Sequence, residues 1–459
     1  MSHHPTEPRT RPHPVVIIVG ALFIALKVAY AVRAMLPNDT GGIHAIVGSD
    51  TPTYTTASQT SIFSQEFYKA PGPFIFPLML KLLRRNFRRV IVAQTLISIA
   101  SWLATALSIR QAMRTSTARW LAYIGVLATG LTPAFIMYDV AIATESLAIS
   151  STCVVIALGI RLATKGDHRY VVAFVFALIV AAFVRDINAI IAGSLGLVAL
   201  AALAVPSWRH AHGVRLTASA AVLIVVGGAA MTLSAAANRS YWPIAETITL
   251  RIADDPQAYR WLVNEGMPDD GAVQRLQDNY FLQYPAFQSD DAYYRPLRQW
   301  LDDHGQATYT KFLMTHPMFV ISKPFEMLAD QFTPNLEPIA TAQHIRPDPI
   351  ARTIGRLGLP SFRITAAWAA IATTGLGIAL WVGNRTRRRI GFTILGIGFI
   401  VIPHALAAFH GDALELARHS LGAAVQARLF VWAATAYAID EYITRRRQRQ
   451  VDSITTVSV

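Results

Sequence analysis

Charged residues are scarce in this chain. Asp, Glu, Lys and Arg make up 15% of its 459 residues, against 53% hydrophobic, whereas a soluble protein carries about a quarter charged residues. The shortage excludes an ordinary water-soluble globule, and long apolar runs from end to end indicate a polytopic membrane protein. Cysteine is nearly absent too. The single Cys153 lies inside an apolar run, which excludes a disulfide framework and a cysteine-based metal site. No Walker A loop, GxSxG elbow or GxGxxG fingerprint occurs, so ATP-driven transport by this chain alone is not expected. Acids are the minority sign: 28 Asp and Glu against 41 Lys and Arg leave a formal charge of +13. A basic balance can mark a nucleic-acid binder. Here the arginines sit in short clusters between apolar runs, as the positive-inside rule describes, and no RNA- or DNA-reading motif accompanies them.

What the chain does have is spans. A crossing helix needs about 20 mostly apolar residues, and about ten stretches qualify: roughly 14–36, 89–112, 118–138, 143–163, 170–185, 187–205, 214–236, 362–383, 390–408 and 421–440. The predicted fold class is all-α. Residues 1–236 form an N-terminal transmembrane core with an outer loop at 37–88, residues 237–361 a large extracytoplasmic segment, and residues 362–459 the last transmembrane helices and a basic tail. The polar start, with Arg9 and Arg11, precedes a run without an A-x-A cleavage site, so an uncleaved first span is expected. Clusters at Arg110/Arg114/Arg119, Arg161/Lys165/Arg169, Arg209/Arg215, Arg385/Arg387/Arg388/Arg389 and Arg445/Arg446/Arg447/Arg449 fall on one side if both termini are cytoplasmic. That places the protein in an inner cell membrane, multi-pass, with the 37–88 loop, the 139–142 turn, the 237–361 segment and the 409–420 turn outside. Helical stretches are expected around 256–264, 271–281, 292–303 and 306–328.

One basic cluster breaks the rule. Lys81, Arg84, Arg85, Arg88 and Arg89 close the first outer loop, after a segment, 74–83, too short to span. An interfacial helix whose arginines meet lipid phosphates fits this pattern, whether the phosphates are ordinary headgroups or those of a substrate lipid.

Ionisable groups at the edge of a bilayer are costly and therefore informative. Asp50, in Val47-Gly48-Ser49-Asp50-Thr51-Pro52-Thr53-Tyr54, can serve as a general base for an acceptor hydroxyl, or it can cap a helix that starts at Thr51-Pro52. Lys69, before Pro71-Gly72-Pro73, suits a lipid-linked phosphate or snorkels to headgroups. Tyr138-Asp139 and Thr144-Glu145-Ser146 bracket a tight outer turn, where Glu145 orients an acceptor, holds Lys69 or serves the helix dipole. Arg185-Asp186 reads as a local ion pair. In His410-Gly411-Asp412-Ala413-Leu414-Glu415-Leu416-Ala417-Arg418-His419, Arg418 can grip a phosphate bidentately or anchor a helix end. That stretch has no H-x-x-x-H or HExxH pattern, so no metal site is expected and a divalent ion is a minority reading.

The order of these features resembles the GT-C superfamily of polytopic glycosyltransferases, especially the branch of protein O-mannosyltransferases and lipid A aminoarabinose transferases, and an actinobacterial set of relatives. The likeness rests on Gly48-x-Asp50…Tyr54, the Lys69-Ala70-Pro71 turn, Pro133…Tyr138…Thr144-Glu145 and Glu415…Arg418-His419, and it covers mainly residues 14–200 and 405–440. It implies a catalytic pair, Asp50 and Glu145, with Tyr54, Lys69, Tyr138, Asp139, Arg418 and His419 binding substrate. Asp50 would activate the acceptor, Lys69 and Arg418 would contact the donor phosphate, and Glu145 would place the acceptor. The implied donor is a polyprenyl-phosphate sugar, used as co-substrate without further cofactor and with inversion, and the acceptor is a glycan, lipid or protein. The chain departs from the pattern in three places: Thr51 stands where a second acid is usual, Ala70 interrupts Lys-Pro-Pro, and His419 replaces a tyrosine. A lipid or solute transporter, a polymerase or ligase for lipid-diphosphate-linked glycans and a degenerate scaffold subunit are the alternatives. Transport predicts repeats and mid-membrane charges, whereas the candidate charges here cluster at one outer surface.

Overall fold

The structure, a computed structural model, describes residues 14–37, 43–47, 50–68, 72–204, 206–289, 291–333, 348–359, 361–411, 413 and 416–457. Among these the elements are helices, with two isolated bridges and no β-strand. Six helices are long and apolar enough to cross a bilayer: Pro14–Met35, Phe87–Ala112, Glu145–Lys165, Gly213–Ala236, one within Pro349–Val382, and Arg387–Gly411. A seventh is the pair Ser116–Gly130 and Pro133–Val140, bent by 58°.

This count falls short of the ten apolar runs for physical reasons. His168–Ala182 and Asp186–Ala202 have only 15 and 17 residues, because polar residues punctuate them. Gly166 ends the preceding helix at φ 68°, the Asp167 side chain accepts from the Arg169 amide, and the Arg185-Asp186 pair starts the next helix. The last helix, Leu421–Val457, has 37 residues, but Arg428 lies in its apolar half and a basic stretch follows.

The 58° bend sits at Thr132-Pro133. A residue before proline avoids the helical region, and Thr132 is extended (φ −54°, ψ 130°) while Pro133 restarts the helix. Two glycines pack into this bend. A Cβ on Gly355 would lie 2.6 Å from the Leu131 carbonyl oxygen, and one on Gly358 would lie 2.6 Å from Thr129 Cα. The connection leading into Phe362–Val382 is thereby seated against the bend.

One large apolar cluster runs through the membrane helices, with Phe23, Trp102, Tyr123, Ile149 and Tyr437 buried in it. Residues 245–312 have a core of their own around Leu262, Phe287, Leu297 and Phe312. The expected helix at 256–264 forms with those limits, and Asp255 caps it by accepting from the amides of Gln257 and Ala258. This segment is fastened to the outer end of Arg385–Gly411. Tyr309 Oη donates to the His410 carbonyl at 2.5 Å, and Arg251 donates to the carbonyls of Phe409 and Ala413.

The opposite end is closed by ions. Asp440 accepts from the amides of Arg114 (2.9 Å) and Thr115 (2.6 Å), which satisfies orphan donors where Ser116–Gly130 begins. Arg387 bridges Asp440 (2.7 Å), Glu441 and the Ala112 carbonyl (2.7 Å). Removing one partner of such a buried network strands the other charge, at about 3–5 kcal/mol. Asp440→Ala is therefore expected to lose about that much stability in detergent-solubilised protein, measured by chemical unfolding. A loss below about 1 kcal/mol would mean that the network is solvated.

Candidate active site

The first outer loop and the 139–142 turn are joined by backbone. The Ile46 amide donates to the Val140 carbonyl (3.2 Å), and the Ile142 amide donates to the Ile46 carbonyl (2.9 Å). β-branched residues on both sides favour this extended pairing. Thr51 Oγ1 adds a bond to the Ile142 carbonyl (3.0 Å), and buried Gln94 reaches the carbonyls of Ala141 and Ala143 at 3.1 and 3.3 Å. Four residues beyond Ile46 the chain reaches Asp50, and three beyond Ile142 it reaches Glu145. The stitching therefore sets these two acids side by side.

Both acids meet Arg418, on the short turn Leu416–His419. Arg418 Nε donates to Glu145 Oε1 at 2.6 Å, and its Nη2 donates to Asp50 Oδ2. Arg185 completes the cluster, donating to Glu145 Oε1 and to the Arg418 carbonyl, each at 3.1 Å. Two cations and two anions cancel, which is how charge survives at a membrane edge. Glu145 is fully buried and Arg418 is 5% exposed, whereas the Asp50 side chain is 40% exposed. Of the two carboxylates, Asp50 is the one open to solvent. It stands at the start of helix Thr51–Ala57, but its side chain makes no capping bond; the carboxylate points to Arg418 instead. Glu145 Oε2 is buried without a hydrogen-bond partner among the described residues.

A second ion pair lies behind the first. Lys27, 1% exposed in the first span, donates to Asp139 Oδ2 at 2.6 Å and to Ser98 Oγ at 2.7 Å. Ser146 Oγ donates to Asp139 Oδ1 at 3.1 Å. Asp139 is therefore an interior group that holds the turn in place. Tyr138 beside it is fully buried in the main apolar cluster. Tyr54 is 6% exposed and packs edge-on against Phe76, ring centroids 5.1 Å apart. Gly72 makes room for it, since an added Cβ would sit 2.4 Å from the Tyr54 ring. Burial, and then the neighbouring Asp50 carboxylate, push the Tyr54 phenol above its ordinary pKa, so it enters any chemistry protonated.

Other expected residues fall elsewhere. Lys69, Asp412 and Glu415 lie outside the described residues. Arg239 does fix the residue before Lys69, donating to the Tyr68 carbonyl at 3.0 Å. His419 is half-buried next to Arg418. Arg185 and Asp186 do not form the local pair expected of them: as neighbours flanking a helix start they diverge, Arg185 to Glu145 and Asp186 to Arg239 at 3.0 Å. Lys81 is not a headgroup ligand either, because its ammonium ties down the carbonyls of Ser58 (3.2 Å) and Thr60 (2.6 Å). Arg84, Arg85, Arg88 and Arg89 are exposed at the corner after helix Ile75–Leu82. Lys27 and Arg185 were the residues to find from sequence, the first being a lone cation within an apolar run. Among the described residues no three of His, Cys, Asp and Glu gather as metal ligands.

An apolar cavity of about 630 Å³ runs along Glu145–Lys165, the helix that Glu145 begins. Its upper wall includes Ile75, Leu147 and Val184, the last two flanking Glu145 and Arg185 in sequence. It continues along Glu145–Lys165 through Val154 to Leu158, about 16 Å below Leu147 at 1.5 Å per residue.

The chain is similar in structure to ArnT from Cupriavidus metallidurans. It overlaps the form bound to undecaprenyl phosphate with a TM-score of 0.34 at 12% identity, and the apo form with 0.35 at 14%. Each overlap covers 94% of this chain and 78% of the other. No protein-family profile and no curated protein matches the sequence.

Lys27→Met is expected to lose about 3–5 kcal/mol by leaving Asp139 buried and unpaired. The double change Lys27→Met with Asp139→Asn should recover much of that loss. A cycle of unfolding measurements checks this, and additive losses would break the pairing argument.

Proposed function

We propose that the protein is a membrane glycosyltransferase of GT-C type that moves a sugar from a polyprenyl-phosphate donor to an acceptor hydroxyl at the outer membrane surface. The observation that carries this reading is that the helix beginning at Glu145, a member of the charged cluster, also lines an apolar trough through Leu147, Val154 and Leu158. An amphiphile with an anionic head and a long hydrocarbon tail matches both halves. The tail lies against Leu147, Val154 and Leu158, and the phosphate meets Arg418 and Arg185. Arg418 is already shared with Asp50, so an arriving phosphate oxygen competes for the guanidinium and frees the carboxylate. Asp50 then takes the proton of the acceptor hydroxyl as its oxygen attacks the anomeric carbon. The bond to the phosphate oxygen breaks with inversion, and the leaving lipid phosphate keeps the electron pair under the two guanidiniums. Glu145, sealed beneath them, holds the Arg418 and Arg185 guanidiniums in place for the phosphate and so places the reacting groups. Lys69 is assigned to the donor phosphate and His419 to the rim. Both termini lie in the cytoplasm of a cell whose inner membrane holds the protein.

A glycan, a lipid or a protein can supply the acceptor hydroxyl. Transport is disfavoured by where the accessible charge lies: Asp50 and its partners Glu145, Arg185 and Arg418 gather at one end of the bundle, while the mid-span Lys27 is sealed against Asp139.

Purified protein in lipid, given a panel of polyprenyl-phosphate sugars, is expected to transfer or slowly hydrolyse one of them. Asp50→Asn should lower that rate by about 10²–10⁴ while keeping its unfolding transition. Val154→Trp, which fills the trough, should raise KM for a long-chain donor and spare a short-chain one. Folded wild type that turns over neither monophosphate nor diphosphate donors overturns the reading.

A further inference from the structure

A second cavity with one apolar and one charged end lies at the opposite end of the bundle. The Leu421–Val457 helix has 37 residues, about 55 Å at 1.5 Å per residue, against a hydrocarbon layer of about 30 Å. It begins beside Arg418, so its second half emerges on the face opposite the charged cluster. There a cavity of about 500 Å³ opens between this helix and the end of Phe362–Val382. Its membrane end is floored by the small residues Gly375, Ala379 and Ala438, with Ile378 at the side. Its outer end carries Arg445, Arg446 and Arg449. Arg449 lies four positions after Arg445 and three after Arg446, so it neighbours both on the helix surface.

Four observations point to the occupant. Arg446 and Arg449 are exposed and make no ion pair among the described residues. Arg445 donates to the Val382 carbonyl, yet its buried Nε has no partner among the described residues. Glu441, the acid in the cavity wall, is already held by Arg387. Trp381 and Tyr442, 85% and 67% exposed, are side chains of the kind that sit at headgroup level, and they place the arginines about one or two turns farther out, among phosphates. Basic pockets between membrane helices suit anionic headgroups.

We propose that this cleft binds one anionic glycerophospholipid. Its phosphate sits on Arg446, Arg449 and the Arg445 Nε, and one acyl chain lies over Gly375 and Ala379. Bound there, the lipid bridges the two helices at their exit from the bilayer. A soluble phosphate offers no use for the apolar floor.

The test uses delipidated full-length protein in detergent, with lipid binding counted by native mass spectrometry. Wild type is expected to retain phosphatidylglycerol in preference to phosphatidylcholine. The double variant R446Q/R449Q, at exposed positions, should weaken phosphatidylglycerol binding about thirtyfold and leave phosphatidylcholine unchanged. Ile378→Trp should weaken it as well, by filling the apolar end. Equal retention of the two lipids by wild type, or an unchanged affinity in R446Q/R449Q, overturns the proposal. Glycerol 1-phosphate binding as tightly as the lipid also overturns it, by assigning the arginines to a soluble anion.

Discussion

One guanidinium, shared between two carboxylates, holds the outer end of this protein together. Arg418 joins Asp50, 368 positions away, and Glu145, 273 positions away. Each charge would be expensive at the edge of a bilayer if left alone; with Arg185 they neutralise one another. The cluster also has an asymmetry that chemistry needs. Glu145 is sealed in, while Asp50 is reachable from water. A site made of four deeply buried charges would be stable and inert.

Behind that cluster the protein spends much of its polar capacity on alignment. The Lys27–Asp139 pair with Ser98 and Ser146, the bridge at Ile46 and the Gln94 amide all act on the 139–145 turn. The turn must be rigid because its backbone sets the spacing of Asp50 and Glu145. Partly exposed loops are elsewhere the most mobile parts of a fold; here the loop is fastened to the interior of three helices.

The helical class and the apolar runs were legible in the sequence, and so was the placing of Asp50, Glu145 and Arg418 at one end of the bundle, because hydrophobic length and charge clustering are local properties. The meeting of those three residues was suggested only by resemblance to a superfamily, since nothing in residue spacing tells which loops touch. Arg185 was misread for that reason: proximity in sequence favoured Asp186, while the fold offered a buried acid with a higher need for a cation. Lys27 gave a signal, a cation in mid-span, but its partner lies 112 residues away. Span count failed where polar punctuation shortens helices, as at Gly166-Asp167 and Arg185-Asp186. Lys81 shows the same limit at short range, because a basic residue at an interface can equally serve carbonyls of its own loop.

Asp50 begins a helix without capping it, and this has a consequence for the order in which the protein matures. A capped loop would settle as soon as its own residues left the ribosome. This one waits for Arg418. At about 5–20 residues per second, the 368 positions between them correspond to roughly 20–70 s of synthesis. During that interval the first loop has been made, but Asp50 has no Arg418 to face. Asp50 thus takes its charge partner only when the Leu416–His419 turn, among the last parts of the bundle, is in place.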